Sequence, residues 1–415
     1  MKSFQLNIDY QCPQCGAPAV LEETDRLFEC AYCRVKSYLV PRGIFQYRFA
    51  DCRPAASREL LFFPYWRFKG ALFSCTSQGI EHRIMDLTCQ AFQSPDFPVS
   101  LGFRSQVLRL QFLSDDIPGT FLKPEVSINQ ALGLFKKRFT GALDDPAWHE
   151  SFLGETSSLI YAPFYVQDHK IHDGILDRAV SGRLPEEFRA DRLAAITPEK
   201  SLRFFAALCP NCGWDLEGRR DALVLLCFNC ESAWKTSRQG LRHVSCAHLP
   251  AQGERAGSLY LPFWRISAKV TEIQLDSYAD LIRVANLPQP GREKWGQAPF
   301  YFWSPAFKIR PRMFLRLSRA LTLAHPPEGL VPQIPAGRLH PVNLPLAQAA
   351  AGLKVSLAGF STPKNVPSGL LKEAQITPKS FSLVYVPFAD EHHEYVHGGT
   401  GMAISKNMLR LSDNL

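Results

Sequence analysis

Cys12-Pro-Gln-Cys15-Gly16, followed by Cys30-Ala-Tyr-Cys33, is the stretch that decides the fold, because the chain repeats it as Cys209-Pro-Asn-Cys212-Gly213 and Cys227-Phe-Asn-Cys230. Each cysteine of the second set lies 197 residues after its counterpart. A CxxC turn presents two thiolates from one tight knuckle, and two knuckles joined by a short hairpin complete a tetrahedral shell of four sulfurs. The 14 residues between the paired knuckles leave room for two short strands and a turn. Gly16 and Gly213 follow the first knuckle, where the backbone needs freedom so that amides can point at sulfur. One CxxC alone reads equally well as a redox pair or as two buried cysteines. Two pairs at this spacing, found twice, point to metal. The expected cofactor is Zn2+, two ions per chain, bound by Cys12, Cys15, Cys30 and Cys33 and by Cys209, Cys212, Cys227 and Cys230. With four cysteine ligands no position stays open for water or substrate, so both ions are expected to be structural. Metal binding then supplies much of the folding free energy of each small ribbon.

The duplication extends beyond the cysteines. Leu61-Phe-Phe-Pro-Tyr-Trp-Arg67 returns as Leu259-Tyr-Leu-Pro-Phe-Trp-Arg265, and Phe92-Gln-Ser-Pro95 is matched with Phe302-Trp-Ser-Pro305. Gln130, Ala131, Phe135 and Lys136 are echoed by Gln348, Ala349, Leu353 and Lys354, and Leu159-Ile-Tyr-Ala-Pro-Phe164 by Leu383-Val-Tyr-Val-Pro-Phe388. The offset grows from 197 to 224 without shrinking, as one duplication with later insertions requires. The predicted fold class is α+β and β-rich, in two tandem homologous halves. The predicted layout is a zinc ribbon at 1–40, a β-rich body at 41–200, a second ribbon at 201–240 and a second body at 241–415. Ser77-Gln-Gly79 sits between two aromatic, β-branched runs and predicts a hairpin. Ile128, Ala131, Leu132, Phe135 and Phe139 recur at helical spacing after Ser127, and predict a helix over 127–139.

Composition narrows the class. The chain is 46% hydrophobic and 21% charged, which is ordinary for a globular protein. No apolar run reaches the length of about 18 residues that a membrane span needs, and the first residues lack the apolar core of a secretory signal. A cytoplasmic chain without a transmembrane segment is expected, and in a reducing compartment paired cysteines favour metal over disulfides. The net charge of +8 is unevenly placed: residues 1–200 carry 23 basic and 24 acidic side chains, residues 201–415 carry 24 and 15. Any attraction for an anionic partner therefore belongs to the second half.

Other constellations are weaker. His392, His393 and His397 supply too few ligands for a further metal site and read as a solvated turn. Cys52, Cys75, Cys89 and Cys246 have no paired spacing and read as small core residues. The stretch from Arg292 to Arg319 interleaves Lys308, Arg310, Arg312, Arg316 and Arg319 with Trp295, Phe300, Tyr301, Phe302, Trp303, Phe307 and Phe314. Basic groups attract phosphate and aromatic faces stack on bases, so these five cations are candidate contacts for nucleic acid or another anion. The alternation of Phe307 and Ile309 with Lys308 and Arg310 fits equally an amphipathic strand with a basic edge. No phosphate loop, HExxH motif or nucleophile elbow is present, and no catalytic residues are assigned.

The cysteine blocks resemble zinc ribbons of the transcription factor IIB type over residues 12–33 and 209–230. The wider pattern of ribbon, Pro-Tyr-Trp-Arg and Tyr-Ala-Pro-Phe-Tyr resembles bacterial zinc-ribbon proteins, some encoded beside PspA-like and flotillin-like membrane-remodelling proteins. That resemblance implies a non-enzymatic adaptor or scaffold with a protein partner, membrane-associated in those cases, although this chain lacks the membrane span of such adaptors. The alternative is a nucleic-acid-binding protein that uses the ribbons and the stretch 292–319.

Overall fold

In the computed structural model the described residues are 6–412, apart from 51–57, 103–107, 116, 142–144, 187, 191–192, 199–201, 238–239, 252–257, 289–292, 325–328 and 363–364. Cys52 and Arg292 lie outside them. The chain is β-rich α+β in two tandem halves, each with a four-cysteine cluster beside a sheet.

In the first half, β1 (Asn7–Gln11) and β2 (Pro18–Glu22) flank the first knuckle as antiparallel partners. The second knuckle is flanked by β3 (Leu27–Glu29) and β4 (Lys36–Pro41). The body follows with β5 (Phe45–Phe49), the hairpin β6 (Leu61–Cys75) and β7 (Ile80–Gln90), then β8 (Leu110–Phe112) and β9 (Thr120–Leu122). Helix α1 (Ile128–Thr140), β10 (His149–Gln167), β11 (Lys170–Asp173), β12 (Arg178–Ala179) and β13 (Ala195–Ile196) complete it. The hairpin and α1 form where the sequence predicts them. Gly79 turns the hairpin at a φ of 139°, and Ser127 and Gln130 close a reciprocal cap, Ser127 N–H donating to Gln130 Oε1. One mixed sheet runs β13-β9-β6-β10-β5-β8-β1-β2. Next, β14 (Leu202–Ala206) pairs with β4, so the strand leading into the second ribbon completes the sheet of the first.

The second half replaces that borrowed strand with a local one: β15 (Val224–Cys227), β16 (Ser232–Ser237) and β17 (Gly240–Val244) form their own sheet. Then come β18 (Cys246–His248), β19 (Leu259–Val270), α2 (Tyr278–Ala285), α3 (Glu293–Gln297), β20 (Phe302–Pro305) and α4 (Pro311–Ala324). After β21 (Arg338–Leu339) follow α5 (Leu346–Ala351), α6 (Leu353–Phe360), α7 (Ser368–Glu373), β22 (Ile376–Glu391), β23 (Glu394–His397), β24 (Met402–Ser405) and α8 (Lys406–Ser412). Among the described residues no helix is long and apolar enough to cross a membrane.

The pairings repeat. β5 lies parallel to β10 as β18 does to β22, and β9 lies parallel to the start of β6 as β21 does to the start of β19. The indole N–H of Trp66 donates to Val126 O at 2.7 Å, and that of Trp264 to Leu344 O at 3.0 Å, each tying the aromatic strand to the entry of a helix. One sequence match is corrected. Pro64 O accepts from Ala91 N and Pro262 O from Ala306 N, so Ala91-Phe92 is equivalent to Ala306-Phe307. Phe302–Pro305 therefore corresponds to the end of β7, and the offset jumps where α2 and α3 replace the tight turn at Gly79.

Contacts gather the chain into two compact units. The first comprises Met1–Gly70, Met85–Phe139 and Thr156–Ala206; the second comprises Ala71–Ile84, Thr140–Glu155 and Ala207–Leu415. The first is built on β6, where Leu61 to Gly70 are buried without a break, with Phe63 stacked 4.2 Å from Phe97. Two buried charges sit inside this unit: Arg67 meets Glu23 at 3.1 Å, and also Asp86. Burial opposes the Arg67 charge, but Glu23 and then Asp86 outweigh it and hold the group cationic. Within the second unit, Phe73, Cys75 and Leu153 share an apolar cluster with Phe307, Phe314, Leu317 and Val384. Ser151 Oγ donates to Ala351 O, and Gly154 N–H to Gln348 Oε1. The outer ends of β6, β7 and β10 are thus part of the core of the second unit.

Candidate metal centres

Each cysteine cluster is assembled by two knuckles of the same build. Gly16 N–H donates to Cys12 O at 2.9 Å, Arg34 N–H to Cys30 O at 3.0 Å and Gly213 N–H to Cys209 O at 2.8 Å. The residue after the second cysteine of each knuckle is left-handed in all four: Gly16, Arg34, Gly213 and Glu231, with φ between 51° and 74°. Glycine makes this easy in the first knuckle of each pair; Arg34 and Glu231 adopt the same conformation at a steric cost. Cys12 N–H reaches Ala17 O and Cys209 N–H reaches Trp214 O, closing each loop behind the sulfurs.

The sulfurs converge. Cys12 and Cys33 Sγ are 3.7 Å apart, Cys15 and Cys30 3.6 Å, Cys209 and Cys230 3.6 Å, and Cys212 and Cys227 3.5 Å. In each cluster all four sulfurs lie within 4.8 Å of one another. A tetrahedron with Zn–S bonds of 2.3 Å has edges of about 3.8 Å, so the donor sets fit zinc in type, number and spacing. These are two structural zinc sites. Among the described residues, no other group of histidine, cysteine and carboxylate side chains meets that distance. The backbone amides of Cys33 and Tyr32 face Cys30 and lower its thiol, whereas at Cys33 the Val35 amide is outweighed by burial and the neighbouring sulfurs, which raise it.

The two sites differ in one partner that spacing did not reveal. Ser232 Oγ lies 2.9 Å from Cys230 Sγ and accepts the indole N–H of Trp234 at 2.8 Å. This hydroxyl is the main reason Cys230 is held down to about 6. Val35 occupies the matching place in the first site, 197 residues earlier, and offers sulfur no such donor.

The ribbons differ also in what they expose. Leu208, Trp214 and Phe228, which flank the second site, are 48%, 59% and 49% exposed. Tyr32, inside the second knuckle of the first site, is 71% exposed.

The five predicted basic residues are not alike. Lys308 is buried, and its N–H donates to Asn343 Oδ1 at 2.7 Å. Arg310, Arg312, Arg316 and Arg319 are exposed, three of them on α4. The expected strand through Phe307 to Arg310 is absent: the chain there is irregular and Pro311 opens a helix, a position where its missing N–H costs nothing. Phe300, Phe302, Trp303, Phe307 and Phe314 are all buried. Tyr301 is half-buried, with the Arg265 guanidinium 3.6 Å from its ring centre. His397 is buried with Nδ1 2.8 Å from Thr400 Oγ1, and His392 and His393 are exposed in the turn before β23. Cys75 is buried and Cys89 and Cys246 are half-buried, with burial raising all three thiols to about 12, as inert core cysteines require.

No protein-family model, curated protein or solved structure matches the chain.

Proposed function

We propose that this chain is a non-enzymatic, zinc-stapled adaptor that docks protein partners through its ribbons and β-rich bodies. The observation that supports this reading best is the exposure of Leu208, Trp214 and Phe228 around a closed four-cysteine site. A closed site has no chemistry to offer substrate, but it fixes the backbone that carries those side chains. Large apolar groups held on a rigid frame lose little freedom on binding and are the usual energetic centres of protein interfaces. The nucleic-acid reading is weaker, because five of the seven aromatic residues after Arg292 that would stack on bases, Phe300, Phe302, Trp303, Phe307 and Phe314, are committed to the core.

The test compares the wild-type chain with Trp214→Ala/Phe228→Ala as bait in lysate of the native host, with and without nuclease. Proteins retained after nuclease by the wild type and lost by the double variant, at unchanged zinc content, support the adaptor. Retention that is equal for both baits, or that disappears with nuclease, overturns it.

A further inference from the structure

Helix α4 carries its charges where they do not help it. Its first turn has no acid and its last turn no base, although the helix dipole favours an acid at the start and a base at the end. Arg312 instead sits in the first turn, with Arg316 and Arg319 following at i+4 and i+7. Like charges at i,i+3 and i,i+4 repel along a helix. From Lys308 to Ala324 the sequence contains no carboxylate at all. The opposite face is committed to the core through Met313, Phe314, Leu317 and Leu321. Arg310, Arg312, Arg316 and Arg319 are exposed, and Arg312 lies near enough to His82 to add to burial in disfavouring a charge on that ring.

Resting on the adaptor reading, we propose that this arginine row docks an acidic helical segment of a protein partner. Arginines at i, i+4 and i+7 span about 10 Å. Glutamates at the same spacing on a second helix can face each of them, and guanidinium takes carboxylate with two parallel hydrogen bonds. Pairing would relieve the repulsion within α4. A phosphate backbone fits less well. A row of this length neutralises only three or four phosphates, which holds nucleic acid weakly at physiological salt. Phe300, Phe302, Trp303, Phe307 and Phe314, whose faces would add stacking, are buried, and Trp295 and Tyr301 are half-buried.

The probe is a fluorescent helical peptide with glutamates at i, i+4 and i+7, titrated with the full chain at about 150 mM salt. A peptide of the same composition with scrambled spacing, duplex DNA and phosphatidylserine vesicles are titrated in parallel. The patterned peptide should bind most tightly, and Arg312→Ala/Arg316→Ala/Arg319→Ala should weaken it roughly tenfold to a hundredfold. The same triple variant should be no less heat-stable than the wild type, since it removes repulsion and adds alanine to a helix. Equal binding of the scrambled peptide, tighter binding of DNA or vesicles, or a patterned-peptide affinity untouched by the triple variant would overturn the proposal. Capture of partners that depends on Trp214 and Phe228 but not on the arginines would sink this inference alone and leave the adaptor standing.

Discussion

Replacing Phe73 by alanine should destabilise the second unit, although the residue lies far closer in sequence to the first ribbon. Phe73 is 1% exposed, and its ring centre lies 6.1 Å from that of Phe314 on α4. Removing a buried phenylalanine ring costs about 3–5 kcal/mol, from lost transfer energy and the cavity left behind. For a unit of this size each kcal/mol lowers the melting temperature by roughly 2–4 °C, so the expected drop is about 6–20 °C. Hydrogen exchange read by mass spectrometry locates the damage. Protection should fall in α4 and β22 and persist in β1 and β5. Phe63→Ala is the matched control, since Phe63 is fully buried among Phe92, Phe97 and Phe164 of the first unit and should give the reverse pattern. Exchange that rises in β1 and β5 while α4 stays protected would refute the assignment of the β6 tip to the second core.

Elemental analysis should find about two zinc ions per chain, and Ser232→Ala should weaken the second site alone by roughly 10- to 100-fold in chelator competition, whereas an equal loss at both sites would count against the Ser232 hydroxyl. Glu23→Ala leaves Arg67 buried against Asp86 only and should cost about 3–5 kcal/mol in denaturant unfolding, most of it recovered in Glu23→Leu/Arg67→Met. For His397, burial lowers the pKa, so the fold favours the neutral ring. Its contribution is present above the unfolded value of about 6.5 and is lost as pH falls below it, and His397→Asn should flatten the stability profile between about pH 6.5 and 5.

The ribbons were legible because ligand chemistry fixes both residue type and spacing, and the 197-residue repeat made the signal independent of any one pair. The β6–β7 hairpin and α1 were legible because turn and cap residues sit beside runs of the right period. Helix α4 was obscured by four residues, Phe307 to Arg310, that alternate like a strand. The helical signal lay just beyond them, in Pro311 followed by Met313, Phe314, Leu317 and Leu321. The Phe92–Pro95 match failed for a different reason: similarity of letters outweighed a hydrogen-bond register that only the paired strands define. Ser232 and the Glu23–Arg67 pair were beyond reach, since each depends on where a side chain lands relative to a partner.

The placement of the β6 and β10 tips bears on how the chain is made. Leu153 leaves the ribosome about 250 residues before Leu409, the last member of the cluster that buries it. At 5–20 residues per second that interval is roughly 13–50 s. Over that interval the residues that cover Phe73, Cys75 and Leu153 arrive in turn, from Leu249 through Phe314 to Leu409. Synthesis order thus leaves the nascent first half sticky at one defined place, and a chaperone or a slow stretch of translation would act there.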